Sequence, residues 1–255
     1  MQINVTTNIA QVQKALQAQA RQVPFAMSVA LNRTAEWAET NVRREMTKVF
    51  DRPTRYFLRS LRVIRSTKTK LQATVWFKDR NPLANSSDLV APHIYGGDRA
   101  IKPMEQRLQR AGLMPVGWRV VPGGAADLDA FGNMSRGQIS QLLNVLGTYK
   151  EAGYNKANAA TRARLAKGNV KKGVYGFEYF VNPVGSGRGR HLEPGVYKRV
   201  RTAFGTSLKP VLIFVRRTQY KPRLDFVGIV QRTVDAKFPI EFDAAFDRAI
   251  RTARP

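Results

Sequence analysis

The apolar residues of the first fifty positions recur every three or four residues, which is the spacing of one face of a helix. A first stripe begins after Asn8, a suitable N-cap residue, and a second begins after Pro24, which suits the first turn of a helix. The sequence therefore predicts two consecutive helices whose apolar sides face a core or another subunit. Their stripes are Ile9, Val12, Leu16, Ala20 and Val23, then Met27, Leu31, Ala35, Ala38, Val42, Met46 and Val49.

The period then changes from helical to alternating. Residues 51–54 contain a proline, which predicts a break followed by a short helical restart. Apolar residues occupy every second position at 71–77, which is typical of a half-buried strand. A weaker alternating run lies at 61–65, and the polar residues 67–70 separate the two runs. We therefore expect a β-hairpin at about 61–78.

Residues 80–136 are rich in glycine, proline and asparagine, and this predicts irregular structure. One short helix is expected within them, at 102–112. Ser135 and Gln138 have the spacing of a capping box, so another helix should begin there and end near Gly147.

The second half of the chain gives a less regular pattern. From 149 to 172 the apolar period is lost while Lys, Arg, Ala and Asn dominate, so we expect a mobile insertion or arm. Strands are predicted at 175–182 and 211–215. Two helices are predicted near 223–237 and 239–253.

This order of elements favours an α+β fold over alternating βαβ units. We expect one domain spanning residues 1–255, in which long N-terminal helices pack on a small, mostly antiparallel β-sheet. A loop and helix insertion at 113–172 and C-terminal helices complete the expected arrangement.

The composition excludes most catalytic chemistry. Without cysteine the chain has no thiol nucleophile, disulfide or Cys-ligated metal. Its two histidines, His93 and His191, are accompanied by no Gly-x-Ser-x-Gly motif. Asp127 and Asp129 lie in a glycine-rich loop that lacks the further ligands of a calcium loop, so we interpret the loop as a surface turn. We expect neither enzymatic activity nor a cofactor or metal.

The chain contains no run of about 18 apolar residues, so we expect no contact with a membrane. Its first residues lack the basic stretch and apolar run of a signal peptide, so we expect synthesis and residence in a reducing cytoplasm.

Positive charge is the strongest functional signal. The chain has 43 Lys and Arg against 18 Asp and Glu, a formal net charge of +25. Two tracts, 41–80 and 150–201, each hold 12 cations against 3 acids. One interpretation is contact with a polyanion, such as nucleic-acid phosphates read without base specificity. The other is a solvated surface, or one that pairs with an acidic partner protein. The candidate polyanion-contact residues are Arg52, Arg55, Arg59, Arg62, Arg65, Lys171, Lys172, Arg188 and Arg190.

Short segments spread over most of the chain carry a family resemblance. The first are Ala-Leu-Asn-Arg-Thr-Ala at 30–35, Val-Arg-Arg-Glu-Met at 42–46 and Phe-Asp-Arg-Pro-Thr at 50–54. Further ones are Pro-His-Ile-Tyr-Gly-Gly at 92–97, Gly-Asn-Met-Ser-Arg-Gly-Gln at 132–138, Pro-Val-Leu-Ile-Phe-Val at 210–215 and Tyr-Lys-Pro-Arg at 220–223. Together they resemble the minor tail proteins of the protein Z type found in tailed bacteriophages.

The resemblance implies a structural virion protein of the neck, a tail-completion or head–tail joining subunit in a ring around the DNA channel. Its implied partners are other copies of itself, portal or connector proteins, tail proteins and packaged DNA. It would be assembled in the host cytoplasm and reside in the virion, and the family offers no catalytic residues. The alternative is a free nucleic-acid-binding protein without sequence specificity, whose DNA affinity should fall steeply with salt.

Overall fold

Seven helices and ten strands are present in the computed structural model, which describes residues 9–78, 86–149, 157–169, 173–185, 191–202 and 205–252. The predicted α+β class is confirmed. The helices are α1 (Ile9–Val49), α2 (Arg55–Leu58), α3 (Ser86–Tyr95), α4 (Pro103–Arg110), α5 (Arg136–Val145), α6 (Ala159–Lys167) and α7 (Phe226–Thr252). The strands are β1 (Leu61–Ile64), β2 (Thr74–Phe77), β3 (Gly97–Asp98), β4 (Arg119–Pro122), β5 (Gly168–Asn169), β6 (Val174–Tyr175), β7 (Phe177–Asn182), β8 (Gly195–Thr202), β9 (Gly205–Val215) and β10 (Gln219–Tyr220).

Contacts within the chain divide it into two compact units. Unit 1 contains the described residues up to Lys78 and those from Arg223 onward, and unit 2 contains the described residues between them. The expectation of a single domain over residues 1–255 stays a prediction.

In unit 1, α1 packs along α7 with the opposite chain direction. Trp37 of α1 donates its Nε1–H to Glu241 of α7 at 3.0 Å, and Asn41 donates to Thr233 Oγ1, also at 3.0 Å. Besides Ser28 and Ala35, six buried residues of α1 follow one another in steps of four, as expected where i±4 ridges interdigitate, and most are small enough for close approach of the backbones. They are Ala26, Ala30, Thr34, Ala38, Val42 and Met46, and α7 contributes buried Ala245 and Ala249.

Two prolines predicted to mark helix starts lie inside helices instead. Helix α1 runs through Pro24, and α7 runs through Pro239, so the predictions of separate helices on either side are wrong. A proline inside a helix removes one backbone hydrogen bond and costs about 3 kcal/mol. In α7 the residues facing α1 continue from Thr233 across Pro239 to Ala245, and this burial offsets the local cost.

The prediction of the second apolar stripe, which begins at Met27, also needs correction within α1. Met27 and Leu31, placed on the buried side, are only half-buried, whereas Ala26 and Ala30 are fully buried. The reason is that α7 approaches closely and presents alanines, which favours small partners over the larger side chains beside them.

The predicted hairpin at about 61–78 is confirmed by antiparallel pairing of β1 with β2. Leu61 lies opposite Phe77, and both are buried. The Phe77 ring also contacts Phe226 at the start of α7, with ring centroids 5.4 Å apart. The hairpin therefore packs against the helices through one of its two faces.

Polar contacts join the segment that follows β1 to α1. The Ser66 backbone N–H donates to Asn32 Oδ1 at 2.7 Å, and the Ser66 carbonyl accepts from Ser28 Oγ at 3.1 Å. These bonds satisfy buried backbone groups that the short hairpin leaves unpaired.

Unit 2 is built on a four-stranded antiparallel sheet in the order β4-β9-β8-β7. Residues of α4 and α5 pack with one face of this sheet to form its core. The span predicted as an insertion, 113–172, therefore supplies core side chains of this unit. The core residues are Leu108, Met114, Val120, Leu142, Leu143, Tyr149, Tyr179, Val196, Val211, Leu212 and Phe214.

Part of the span predicted to be irregular is regular. Helix α3 and strand β4 both lie within 80–136, in addition to the expected short helix, which is α4. Strand β4 has only four residues and pairs with β9, nearly a hundred positions away, so no local sequence pattern predicts it. The helix predicted at Ser135 is confirmed as α5, with Ser135 Oγ accepting from the Gln138 N–H at 3.2 Å.

The remaining strand predictions were incomplete. The run at 175–182 corresponds to β6 and β7, and 211–215 is the last part of the longer β9. Strand β8 was not predicted. Within the expected arm at 149–172, residues 150–156 and 170–172 lie outside the described residues, and α6 lies between them.

Candidate polyanion interface

The structure describes five of the nine residues predicted to contact a polyanion. They lie in unit 1, in the stretch that runs from the turn after α1 through α2 and β1 to the residue after β1. The other four, Lys171, Lys172, Arg188 and Arg190, lie outside the described residues.

Local geometry fixes the short helix that displays these arginines. Arg52 has a backbone φ of 45°, a left-handed conformation that turns the chain sharply after α1. Thr54 then caps α2 by accepting a hydrogen bond from the Phe57 N–H at 3.1 Å. The Phe57 ring packs edge-on against Phe50 with centroids 5.0 Å apart. A cap and an aromatic contact therefore hold α2 at the end of α1.

Two of the five arginines are paired with carboxylates. Arg52 bonds its neighbour Asp51 at 3.0 Å, and this hydrogen bond, with the charge of Arg52, holds the pKa of Asp51 below its usual range. Arg65 bonds Glu36 of α1 at 2.7 Å. Their charges are thus partly neutralised within unit 1.

The other three arginines are exposed, and none of the ion pairs between described residues includes them. Arg55 and Arg59 are four residues apart around α2, a spacing at which like charges repel and destabilise a helix by a few tenths of a kcal/mol. Tyr56, between them in sequence, is 53% exposed. We refer to Arg55, Tyr56, Arg59 and Arg62 as the arginine surface.

The β-hairpin extends this surface with an aromatic residue. Arg62 lies directly opposite Trp76 in the β1–β2 register, so the two side chains project from the same face. Ile64, also on that face, is 52% exposed. This face points away from the buried pair Leu61 and Phe77, because side chains alternate along a strand.

A second basic surface in unit 1 could not be seen in the sequence. A groove of about 290 Å³ between α1 and α7 is lined by Arg44 and Lys48 from one helix and by Arg232 and Lys237 from the other. Only the pairing of helices nearly 190 positions apart brings these cations together. Glu45, which bonds Lys48 at 3.5 Å, is the acid that lines the groove.

Five of the six cations of the second charge tract that the structure describes are exposed, and the sixth, Lys198, is half-buried. Arg162, Arg164 and Lys167 lie on the exposed surface of α6, and Arg199 and Arg201 lie on β8. The β8 residues belong to the predicted tract but are not among the nine candidate contact residues. Val196 and Val200 on the same strand could have indicated it, because β-branched residues favour strands.

The structure places the residues considered for catalysis in a turn, in an aromatic contact and at an exposed position. Asp129 Oδ1 accepts backbone N–H bonds from Phe131 and Asn133, both at 2.9 Å, which confirms a turn at this loop. The His93 ring packs edge-on against Tyr220, and His191 is exposed. Among the described residues, no group of three or more His, Asp or Glu side chains has the arrangement of a metal site.

No protein-family model, curated protein or solved structure matches this chain. The resemblance to phage tail proteins therefore stays a prediction that rests on the sequence segments. Within the described part of the chain, no helix combines the length and apolar character needed to cross a membrane.

Proposed function

We propose that the chain is a structural protein of the tailed-phage neck, a tail-completion subunit that forms a ring around the DNA channel and joins head to tail. The sequence resemblance suggests the family, and the arginine surface carries the physical argument. A subunit beside packaged DNA needs cations that attract phosphates without reading bases.

The arginine surface fits this requirement because its three cations are exposed and form no ion pair with a described residue. Arg55 and Arg59 repel each other on one helical turn, and no described carboxylate lies within ion-pair distance of either. A phosphate backbone would relieve this repulsion. Tyr56 and Trp76 add aromatic area beside the cations, as is common at nucleic-acid interfaces.

Exposed apolar side chains support contact with further subunits. Val227 and Ile240 of α7 are 60% and 61% exposed, while Tyr95 and Val116 of unit 2 are 75% and 86% exposed. A closed ring uses two different surfaces of each subunit, joined head to tail, so separate apolar patches are expected. Buried apolar area would drive association, and charge would set its register and rate.

The experiment that tests the charge argument compares three full-length proteins by fluorescence anisotropy with a labelled DNA duplex over a range of salt concentrations. The test variant is Arg55→Gln/Arg59→Gln/Arg62→Gln, and the charge-matched control is Arg110→Gln/Arg248→Gln/Arg251→Gln. We expect the slope of log affinity against log salt to fall by about 2 to 3 in the test variant, at about 0.9 per phosphate contact. Equal DNA affinities and equal salt slopes for the test variant and the control variant would contradict the proposal.

The rival function, a free nucleic-acid-binding protein, is distinguished by where the chain resides. A neck subunit should sediment with phage particles at a fixed stoichiometry and remain there when free DNA is digested. A free binder should leave the particle fraction after nuclease treatment.

A further inference from the structure

Residues 194–224 contain eight Lys and Arg and no Asp or Glu. Four of these cations lie on the hairpin formed by the outer parts of β8 and β9 in unit 2. We define this hairpin as the basic ribbon: residues 198–202 of β8 paired with 205–209 of β9.

The basic ribbon is the outer end of the sheet. Strand β4 pairs only with residues 212–215 of β9, and β7 pairs with β8 no further than Val200. Residues 205–209 of β9 therefore have no strand on their other side among the described residues. At about 3.4 Å per residue the ribbon is roughly 15 Å long.

Cations project from both faces of the ribbon. Lys198 lies directly opposite Lys209, so these two side chains share one face. Arg199 and Arg201 alternate with Lys198 and occupy the opposite face. An interaction with a flat anionic surface would use one face only, whereas cations on both faces suit a ligand with anionic walls on two sides.

The charges on the ribbon have few carboxylate partners, although the Lys198 ammonium lies 3.9 Å from the centre of the Phe177 ring and the Arg199 guanidinium lies 4.9 Å from that of Phe180. Like charges directly opposite each other in a sheet are destabilising, and no ion pair between described residues includes Lys198 or Lys209. On the other face a single carboxylate, Glu178 of β7, serves both Arg199 at 3.9 Å and Arg201 at 3.7 Å. The ribbon thus keeps a net positive charge on each face.

We propose that the basic ribbon binds duplex DNA by entering the major groove, with its cations reaching the phosphates on both sides. The major groove is about 12 Å wide and accepts a two-stranded β-ribbon. Thr202, Thr206 and Ser207 add small polar side chains without a base-reading pattern, so binding is sequence-independent. This inference concerns unit 2 alone and does not rest on the neck proposal or on the arginine surface.

Lysines can also protect an open sheet edge from pairing with other chains. That role would account for Lys209, which lies on the open edge of β9. It does not account for Arg199, which lies on β8 between β7 and β9 and so is not on an open edge.

The test measures binding of full-length protein to a labelled DNA duplex. Two variants each remove one face, Lys198→Gln/Lys209→Gln and Arg199→Gln/Arg201→Gln, and Arg248→Gln/Arg251→Gln is the charge-matched control. At about 50 mM salt we expect each ribbon variant to bind about three- to tenfold more weakly than the control, with a salt slope lower by about 2. Two variants keep the test decisive if one fails to fold, as judged by thermal unfolding.

Three outcomes would overturn the inference. The first is that both folded ribbon variants bind DNA as the control does. The second is that DNA binding is reduced only in the lysine variant and only because that variant aggregates, as expected if the lysines merely protect an open sheet edge. The third is that poly-glutamate displaces the protein from DNA as effectively as unlabelled duplex does, which would indicate an acidic protein partner. Loss of binding in ribbon variants with none in the arginine-surface variant would support this inference while contradicting the earlier proposal.

Discussion

Arg99 and Glu105 form a two-pronged ion pair in the interior of unit 2, where the Glu105 residue is fully buried and Arg99 is 7% exposed. Glu105 also accepts backbone N–H bonds from Lys102 and Val120, each at 2.7 Å. One carboxylate therefore caps the start of α4 and fixes β4 at the edge of the sheet. Burial acts to raise the pKa of Glu105, but the bonds from Arg99 and from the two backbone groups outweigh it and keep the pKa low.

The first prediction concerns this ion pair. Glu105→Gln should lower the free energy of unfolding by about 3 kcal/mol, because it leaves the Arg99 charge buried without a partner. Arg99→Gln should cost a similar amount. The double variant should lose clearly less than the two single losses added together, since it leaves no unpaired buried charge.

Urea unfolding of the four proteins measures this coupling. Glu193→Gln, which changes an exposed carboxylate, is the control and should unfold as the wild type does. Strictly additive losses in the double variant would show that the pair is not energetically coupled.

The second prediction is a pH dependence at the contact between α1 and α7. The Trp37 hydrogen bond lowers the pKa of Glu241 most, burial acts to raise it, and the hydrogen bond and charge of Arg33 lower it further, so that the pKa stays below its usual range. A lowered folded-state pKa stabilises the protein above the unfolded pKa, near 4.5, and this stabilisation is lost as pH falls through the folded value. Glu241→Gln should therefore cost about 1 kcal/mol at neutral pH and progressively less in acid.

Unfolding of wild type and Glu241→Gln at neutral pH and at successively lower pH tests this sign. Glu45→Gln, which removes only an exposed pair with Lys48, should show little effect at any pH. A difference between wild type and Glu241→Gln that grows in acid would contradict the assignment.

The third prediction uses two adjacent glycines after β4. A Cβ on Gly123 would lie 2.5 Å from the Pro210 carbonyl oxygen, whereas a Cβ on Gly124 would meet nothing within 4 Å. Gly123→Ala should therefore lower the free energy of unfolding by about 1–3 kcal/mol, because the backbone of β9 at Pro210 would have to move to make room for the methyl group. Gly124→Ala is the matched control and should be near neutral in thermal unfolding. Equal effects of the two would show that the chain does not approach β9 closely at Gly123.

The fourth prediction separates a turn from a calcium loop at Asp129. Asp129→Ala should destabilise by about 1 kcal/mol through loss of its bonds to the Phe131 and Asn133 N–H groups. Asp129→Asn retains an acceptor oxygen and should cost less. Added calcium should leave the melting temperature of the wild type unchanged, and a calcium-dependent rise would revive the ligand interpretation.

Local patterns in the sequence predicted those elements whose signals are local. The hairpin β1–β2 follows from alternation at 71–77, and α5 follows from Ser135, whose side chain caps the helix it begins. Strand β4 was missed because its four residues are specified by pairing with β9 across the chain. Pro24 and Pro239 led to wrong helix boundaries. A proline inside a helix does cost stability, but the burial of side chains along α1 and α7 outweighs that cost.

The candidate site, like the fold, was predictable from the sequence only where its residues lie close together along the chain. The arginines at 52–65 were identified from charge alone, and the structure distinguishes Arg52 and Arg65, which have carboxylate partners, from the three that do not. The groove cations of α7 and the basic ribbon depend on which elements pair, so charge counting along the sequence could not place them together.

The central claim, that the chain is a ring-forming subunit of a phage neck, is tested most directly by electron microscopy of purified tailed particles labelled with an antibody against the chain. The account predicts label at the junction of head and tail on most particles, and rings of uniform diameter for the purified protein alone. Unlabelled particles, together with a chain that remains a monomer in solution, would contradict it.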